Sequence, residues 1–169
     1  MPANTEIFKQ FLNHTFIETG SHVGNGIQQA LDAGFQQVYS IELVPASYQK
    51  CVSRFQGNSK VHLFHGSSIQ RLPGILKNMQ ERCTIWLDSH DFCIDNPQSM
   101  IIEELLIIGM HFRKNHTILI DDMRLWETQF KVKRQTVKNM LKLINPVYKI
   151  DTIDGEGSGM KNDILYARP

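Results

Sequence analysis

The segment Thr15-Phe16-Ile17-Glu18-Thr19-Gly20-Ser21-His22-Val23-Gly24-Asn25-Gly26, with Glu42 sixteen residues beyond it, constrains this chain more than any other feature. It reads as a short apolar strand, a glycine-interrupted loop and then a helix. A second strand, residues 38–41, runs into the acid at 42. Glycine at position 20 permits a turn that a Cβ obstructs and lets a ligand approach the main chain. The helix that follows presents unpaired N–H groups and a positive dipole end. Carboxylates at Glu18 and Glu42 can accept hydrogen bonds from an amine or from ribose hydroxyls. Together these features describe a pocket for a nucleoside-bearing cofactor at the C-terminal edge of a parallel sheet.

The glycine spacing narrows the cofactor. A dinucleotide fold calls for G-x-G-x-x-G, with the second glycine beneath a pyrophosphate. Here the spacing is G-x-x-x-G-x-G over Gly20, Gly24 and Gly26, and an acid stands two residues before the first glycine. A cofactor with an amino-acid tail and no diphosphate suits that loop better, which describes S-adenosylmethionine. Two other readings stay open. One is a plain strand-turn-helix that needs a tight turn. The other is a nicotinamide cofactor, since an acid about twenty residues after the first glycine also fits ribose binding.

Short apolar segments alternate with helical ones along the rest of the chain, the mark of an α/β parallel sheet. The spacing predicts strands over residues 15–18, 38–42, 61–65, 84–88 and 117–121, with helices over 24–33, 45–55, 68–79, 98–112 and 127–144. After Pro146, two β segments flank a glycine-rich loop at 154–159 with no helix between them, which predicts an antiparallel ending. The expected architecture is a Rossmann-like, doubly wound, mostly parallel seven-stranded sheet closed by an antiparallel C-terminal hairpin. All 169 residues are expected to form a single domain with a very short N-terminal extension.

Composition excludes several function classes. A formal charge of +1 gives no support to extensive phosphate-backbone binding. No apolar run reaches the roughly 18 residues that a membrane span requires, and the polar opening Met1-Pro2-Ala3-Asn4-Thr5-Glu6 lacks the apolar stretch of a signal peptide. Cys51, Cys83 and Cys93 are odd in number and form no C-x-x-C, so they read as reduced thiols. A cytoplasmic location is the expectation.

The predicted parallel strands end in Glu18, Glu42, Asp88 and Asp121-Asp122, and the remaining one opens into Gly66-Ser67-Ser68. In an open α/β sheet these ends share the edge where ligands bind. Asp88, Asp121 and Asp122 would lie close together on neighbouring strands, and three carboxylates repel unless something positive sits among them. A hard divalent ion, Mg²⁺ most naturally, fits that set and would favour the alkoxide of a substrate hydroxyl. The competing reading has Asp121-Asp122 capping the next segment. His90, two residues past Asp88, has the chemistry of a general base. The pair His90-x-x-Cys93 lacks the further ligands a zinc site needs.

Glu18-Thr19-Gly20-Ser21-His22-Val23-Gly24 resembles motif I of the class I S-adenosylmethionine-dependent methyltransferases, in the E-x-G-x-x-x-G form of metal-dependent O-methyltransferases of the catechol and macrolide-sugar types. Val38-Tyr39-Ser40-Ile41-Glu42 is similar to their second strand, whose acid binds ribose. Gly66-Ser67-Ser68 with Leu72-Pro73 resembles the segment that meets the adenine. Trp86-Leu87-Asp88 and Ile120-Asp121-Asp122 match the Mg²⁺-holding positions.

The resemblance implies an S-adenosylmethionine-dependent transfer of methyl to an oxygen of a small-molecule or sugar-like acceptor. Glu18, Thr19, Gly20, Ser21, Gly24, Gly26, Glu42, Gly66, Ser67, Ser68 and Asp88 would hold cofactor. Asp88, Asp121 and Asp122 would hold metal, and Asp88 and His90 would serve catalysis. Two departures bear on mechanism. Asp91 stands where the catechol-type enzymes carry a lysine base, and few residues precede the first strand. The second departure implies an open acceptor site, completed by a homo-oligomer or another partner. Alternatives are a nucleic-acid methyltransferase, suggested by Lys131, Lys133, Arg134, Lys138 and Lys142, and a non-catalytic S-adenosylmethionine- or nucleotide-binding domain. A solvated helix face explains those cations more simply, and no N/D-P-P-Y/F motif follows the fourth strand, so nucleic acid is the less expected partner.

Overall fold

The parallel strands form because β-branched and aromatic residues cluster in runs of four to six; Thr15–Thr19, Cys83–Leu87 and Thr117–Ile120 are buried on both faces, while Val61–His65, at the sheet edge, is half-buried to exposed. The computed structural model describes residues 4–91, 98–156 and 160–169. Cys93 and the loop residues Gly157, Ser158 and Gly159 lie outside them. Chain order is α1 (Thr5–Lys9), β1 (Thr15–Thr19), α2 (Asn25–Ala33), β2 (Gln37–Glu42), α3 (Pro45–Arg54), β3 (Val61–His65), α4 (Ser68–Lys77) and β4 (Cys83–Leu87). There follow β5 (His90–Asp91), β6 (Gln98–Ser99), α5 (Ile101–Met110), β7 (Thr117–Ile120), α6 (Met123–Trp126), α7 (Arg134–Ile144), β8 (Lys149–Ile153) and β9 (Ile164–Arg168).

Seven strands make one sheet in the order β3-β2-β1-β4-β7-β9-β8, and β5 with β6 forms a separate two-stranded ribbon. β3, β2, β1, β4 and β7 run parallel, whereas β9 pairs antiparallel with both β7 and β8. The expected Rossmann-like sheet and its antiparallel ending are both present. The alternation of side chains along each strand divides the core in two. Ile17, Ile41, Ile85 and Leu87 face α4, α5 and α7 through Leu72, Leu105, Ile108 and Leu141. Phe16, Val38 and Trp86 face the other way, onto Phe8, Ile27, Ala30 and Phe55. None of the described helices is long and apolar enough to cross a membrane.

Three local expectations are corrected. The segment 127–144 is not one helix: α6 ends at Trp126 and α7 begins at Arg134. Between them Phe130 and Val132 turn into the core, Lys131 takes φ +55°, and the Glu127 carboxylate accepts the Arg134 N–H at 3.2 Å. Burying Phe130 against the His90 ring, 4.7 Å between centroids, takes the place of about two further turns of helix. The helix predicted from residue 98 starts at Ile101, because Gln98 and Ser99 pair with Asp91 and His90 and the Ser99 hydroxyl accepts the Ile101 N–H. The short helix α1 was not expected; Asn4 caps it by accepting the Ile7 N–H at 2.9 Å.

Candidate functional site

The strand-end residues are set in place by continuation of the sheet ladder past the strands themselves. Gly20 N–H and Ser21 N–H both donate to the Ile41 carbonyl, Gly66 N–H to Glu42, Asp88 N–H to Thr19, and Asp121 N–H to Leu87, all at 2.9–3.1 Å. One row of bonds thus fixes the relative heights of the loops after β1, β2, β3, β4 and β7. Above that row lies a cleft of about 640 Å³, within the range of small-molecule sites.

Glu42 stands at one end of the cleft, with its carboxylate held from behind. Its two oxygens accept the His22 N–H at 2.7 Å and the Val44 N–H at 2.8 Å. Each oxygen keeps a second acceptor site, and these can serve a vicinal diol. Gly20, His22, Gly66, Ser67 and Ser68 line the same end. Gly20 sits at φ +90°, and a Cβ there would lie 2.3 Å from the Asp88 carbonyl oxygen. The glycine is therefore demanded by the neighbouring strand end.

Thr19, Ser21, Gly24 and Gly26 do not line the cleft, nor does Glu18. Glu18 is buried behind the loop, where it accepts from the Ser40 hydroxyl at 2.5 Å, which in turn meets the Ser21 hydroxyl at 2.5 Å. Burial, with Glu42 nearby, pushes its pKa up to about 7 despite the Ser40 bond. Its side chain braces the loop from below, and Gly20 and His22 are the residues of this loop that face the cleft. Gly24, at φ +83°, is needed for the start of α2 under Phe55, whose ring a Cβ would meet at 2.6 Å.

The opposite end of the cleft is acidic. Asp88, Ser89, His90, Asp121, Asp122 and Arg124 line it, with Met100 and Met160 beside them. Burial and the charges of Asp121 and Asp122 hold Asp88 well above the usual carboxylate range. Burial and Asp122 push Asp121 up to about 8. Asp121 Oδ1 accepts the Asp122 N–H at 2.7 Å, while Oδ2 is buried without a hydrogen-bond partner among the described residues. Burial lowers the His90 pKa, so the ring is held neutral; its Nε2 lies 4.0 Å from Asp122 Oδ2.

The positive charge that this carboxylate group demands is already present in part as Arg124, which the sequence did not single out. Its Nη1 pairs with Asp122 Oδ1 at 2.7 Å and also with Asp163. Asp163, just before β9, further accepts the Arg124 N–H at 2.9 Å. Although burial works against it, the charges of Asp122 and Asp163 hold the guanidinium pKa above its usual value. The three aspartates expected to share one ion are distributed over two groupings. Asp88, His90 and Asp122 bring ligand atoms within 4.8 Å of one another, and Asp121, Asp122 and Asp163 do the same. Arg124 offsets part of the charge of the second grouping through Asp122 and Asp163. The first fits a divalent cation by donor type, and its imidazole shifts the preference from Mg²⁺ toward a divalent transition-metal ion such as Mn²⁺.

No protein-family model matches the sequence, and no curated protein matches it by sequence. Solved structures do match in shape. An O-methyltransferase from Bacillus cereus in complex with SAH superposes with a TM-score of 0.72 at 14% identity, covering 98% of this chain and 78% of that one. The O-methyltransferase TomG from Streptomyces achromogenes, in complex with SAM, gives 0.66 at 12%, covering 97% and 76%. Spermidine synthase from Thermotoga maritima gives 0.65 at 12%, covering 99% of this chain and 58% of that one. At such identities the likeness establishes the fold: the chain has the Rossmann-like fold of the class I S-adenosylmethionine-dependent methyltransferases.

Proposed function

We propose that the chain is an S-adenosylmethionine-dependent methyltransferase that transfers methyl to an oxygen of a small-molecule acceptor. The observation that carries this reading is Glu42. Its carboxylate is oriented by two backbone N–H groups at one end of a cleft whose other end holds a neutral histidine beside aspartates. Glu42 would accept the ribose hydroxyls. Gly20 and His22 would present main chain to the methionine portion, and Ser67 and Ser68 would meet the adenine edge. The acceptor would enter between Met100, Met160 and Arg124. His90, kept neutral by burial, would take the acceptor's proton, and Asp122, 4.0 Å away, would stabilise the resulting imidazolium. Alignment of acceptor oxygen, methyl carbon and sulfur is the main task, since the displacement needs no covalent help from the protein.

A divalent cation bound by Asp88, His90 and Asp122 would lower the pKa of an acceptor hydroxyl. In that case His90 serves as ligand rather than base, so the two roles exclude each other and a metal titration separates them. With the Asp88 pKa held well above the usual carboxylate range, a cation competes with protons for the site and its binding strengthens with pH. Mn²⁺ or Mg²⁺ should raise the melting temperature more at pH 8 than at pH 6. Melts superimposable with and without EDTA would assign His90 to the base role alone.

Calorimetry with S-adenosylhomocysteine tests the cofactor reading, and Glu42→Ala should weaken binding at least about tenfold, the loss of charge-assisted hydrogen bonds being roughly 1.5–3 kcal/mol. Absence of binding to the intact protein rejects it. Binding without methyl transfer to any hydroxylated acceptor favours a non-catalytic domain. A steep fall of affinity for RNA or DNA with salt favours a nucleic-acid substrate. Size-exclusion measurements test whether the protein forms a homo-oligomer that could cover the acceptor end.

A further inference from the structure

Beneath the floor of the cleft, Glu104 stands on α5 among Ile101, Leu105 and Ile108, and it is 0% exposed. A carboxylate in so apolar a helix costs stability unless hydroxyls or charges satisfy it. Ser89 Oγ, in the loop beside Asp88 and His90, donates to Glu104 Oε1 at 2.6 Å. The hydroxyls of Ser68, at the start of α4, and Thr19, at the end of β1, stand against the same carboxylate. Thr19 Oγ1 also accepts the Asp88 N–H at 3.2 Å. Three hydroxyls, from the end of β1, the start of α4 and the loop after β4, therefore surround one buried acid, that of Ser89 hydrogen-bonded to it and that of Ser68 near it without a well-formed bond. The alternation along β1 points Thr19 to the face of the sheet that α5 covers, and Glu18 to the opposite face, where it takes the Ser40 hydroxyl. The cleft is thus braced by one buried carboxylate on each side of the sheet.

We propose that Glu104 is a positioning residue for the cleft, holding the β1, β3 and β4 loops at one height so that the nucleoside end and the reacting end keep a fixed separation. It rests on the reading of the cleft as a cofactor site, while the positioning itself does not depend on which ligand enters. Burial pushes the Glu104 pKa up to about 7, against the pull of the three hydroxyls, and Glu103 is the charged neighbour that adds to the rise. Oε2 makes no well-formed hydrogen bond among the described residues, so the charged form gains too little there to offset its burial. Loop order, and with it ligand affinity, should therefore be complete below the ordinary carboxylate range and fall as pH rises through about 7.

The test uses the full chain with Glu104→Ala, Glu104→Gln and Ser89→Ala. Hydrogen exchange of the ligand-free protein reads the loops directly. Glu104→Ala should speed exchange of the Asp88 and Ser89 amides at least about tenfold while the Ile85 amide, inside β4, keeps its protection. S-adenosylhomocysteine affinity should fall at least about tenfold in Glu104→Ala. Glu104→Gln, which keeps an acceptor oxygen, should restore affinity to within about threefold and abolish its pH inflection near 7. Should Glu104→Ala fail to fold, Ser89→Ala carries the exchange measurement. Unchanged exchange at Asp88 and Ser89, or a rise shared equally by Ile85, overturns the proposal, as does an inflection that survives in Glu104→Gln. Failure of the unaltered protein to bind S-adenosylhomocysteine rejects the cofactor reading alone, and the exchange result still decides the positioning role.

Discussion

Replacing Gly20 with alanine adds one carbon atom, and the geometry around it sets the expected cost. That atom would lie 2.3 Å from the Asp88 carbonyl oxygen, 2.9 Å from its carbon and 3.3 Å from Ser89 Cα. All three are backbone atoms, and the Asp88 backbone is itself pinned by its N–H bond to Thr19 at 3.1 Å. Relief requires parting β1 from β4 where their ladder continues into the cleft. The positive φ of +90° adds a conformational cost of roughly 1–2 kcal/mol, and overpacking adds about 1–3 kcal/mol. Their sum, about 2–5 kcal/mol, is a large part of a typical domain stability of about 5–15 kcal/mol. At about 2–4 °C per kcal/mol it lowers the melting temperature by about 4–20 °C. Gly57→Ala is the control, because Gly57 also has positive φ (+77°) but nothing lies within 4 Å of its added carbon. Only the conformational cost applies there, a drop of about 2–8 °C. Urea melts of both variants, with equal m-values, give the comparison. A Gly20→Ala protein no less stable than Gly57→Ala would show that the β1–β4 approach does not demand glycine, and the steric account would fail.

Arg124→Ala should destabilise the fold by about 3 kcal/mol, since it leaves Asp163 and Asp122 buried and facing each other without their cation; a thermal melt showing no loss would mean that the pair is not formed in solution. The buried histidine pair governs the acid limb of stability. His111 Nδ1 and His116 Nε2 lie 2.9 Å apart, and burial followed by the His111 charge pushes the His116 pKa down from 6.5 to about 4. With the folded value depressed, this contribution is complete above about pH 6.5 and is lost as pH falls toward 4, on the order of 3 kcal/mol. Urea melts of His116→Asn should be flatter across that window, and an unchanged slope would refute the assignment. Glu18 and Asp121, raised to about 7 and about 8, act oppositely: their contributions are complete below the ordinary carboxylate range and fade as pH rises through those values. Glu18→Gln should therefore lose less stability than the unaltered protein between about pH 5 and pH 8.

The succession of strands and helices along the chain, and the edge on which acids gather, were legible in the residues alone. Short apolar runs ending in Glu42, Asp88 and Asp121, with helical segments between them, read as parallel strands that share an edge. Local pattern sufficed there because strand period and turn chemistry are set over a few residues. It did not suffice where the deciding partner is remote in sequence. Arg124 meets Asp163 across 39 positions because β9 inserts beside β7, and that pairing places a cation where the carboxylates alone suggested a metal. Phe130 leaves a helical pattern to cover His90. Glu18 and Glu104 carry the same side chain as Glu42 but are turned beneath the floor, one on each face of the sheet, by side-chain alternation and helix docking. Residue type announced the chemistry of this edge; the packing of helices against both faces decided which of its acids face the cleft and which lie buried beneath it.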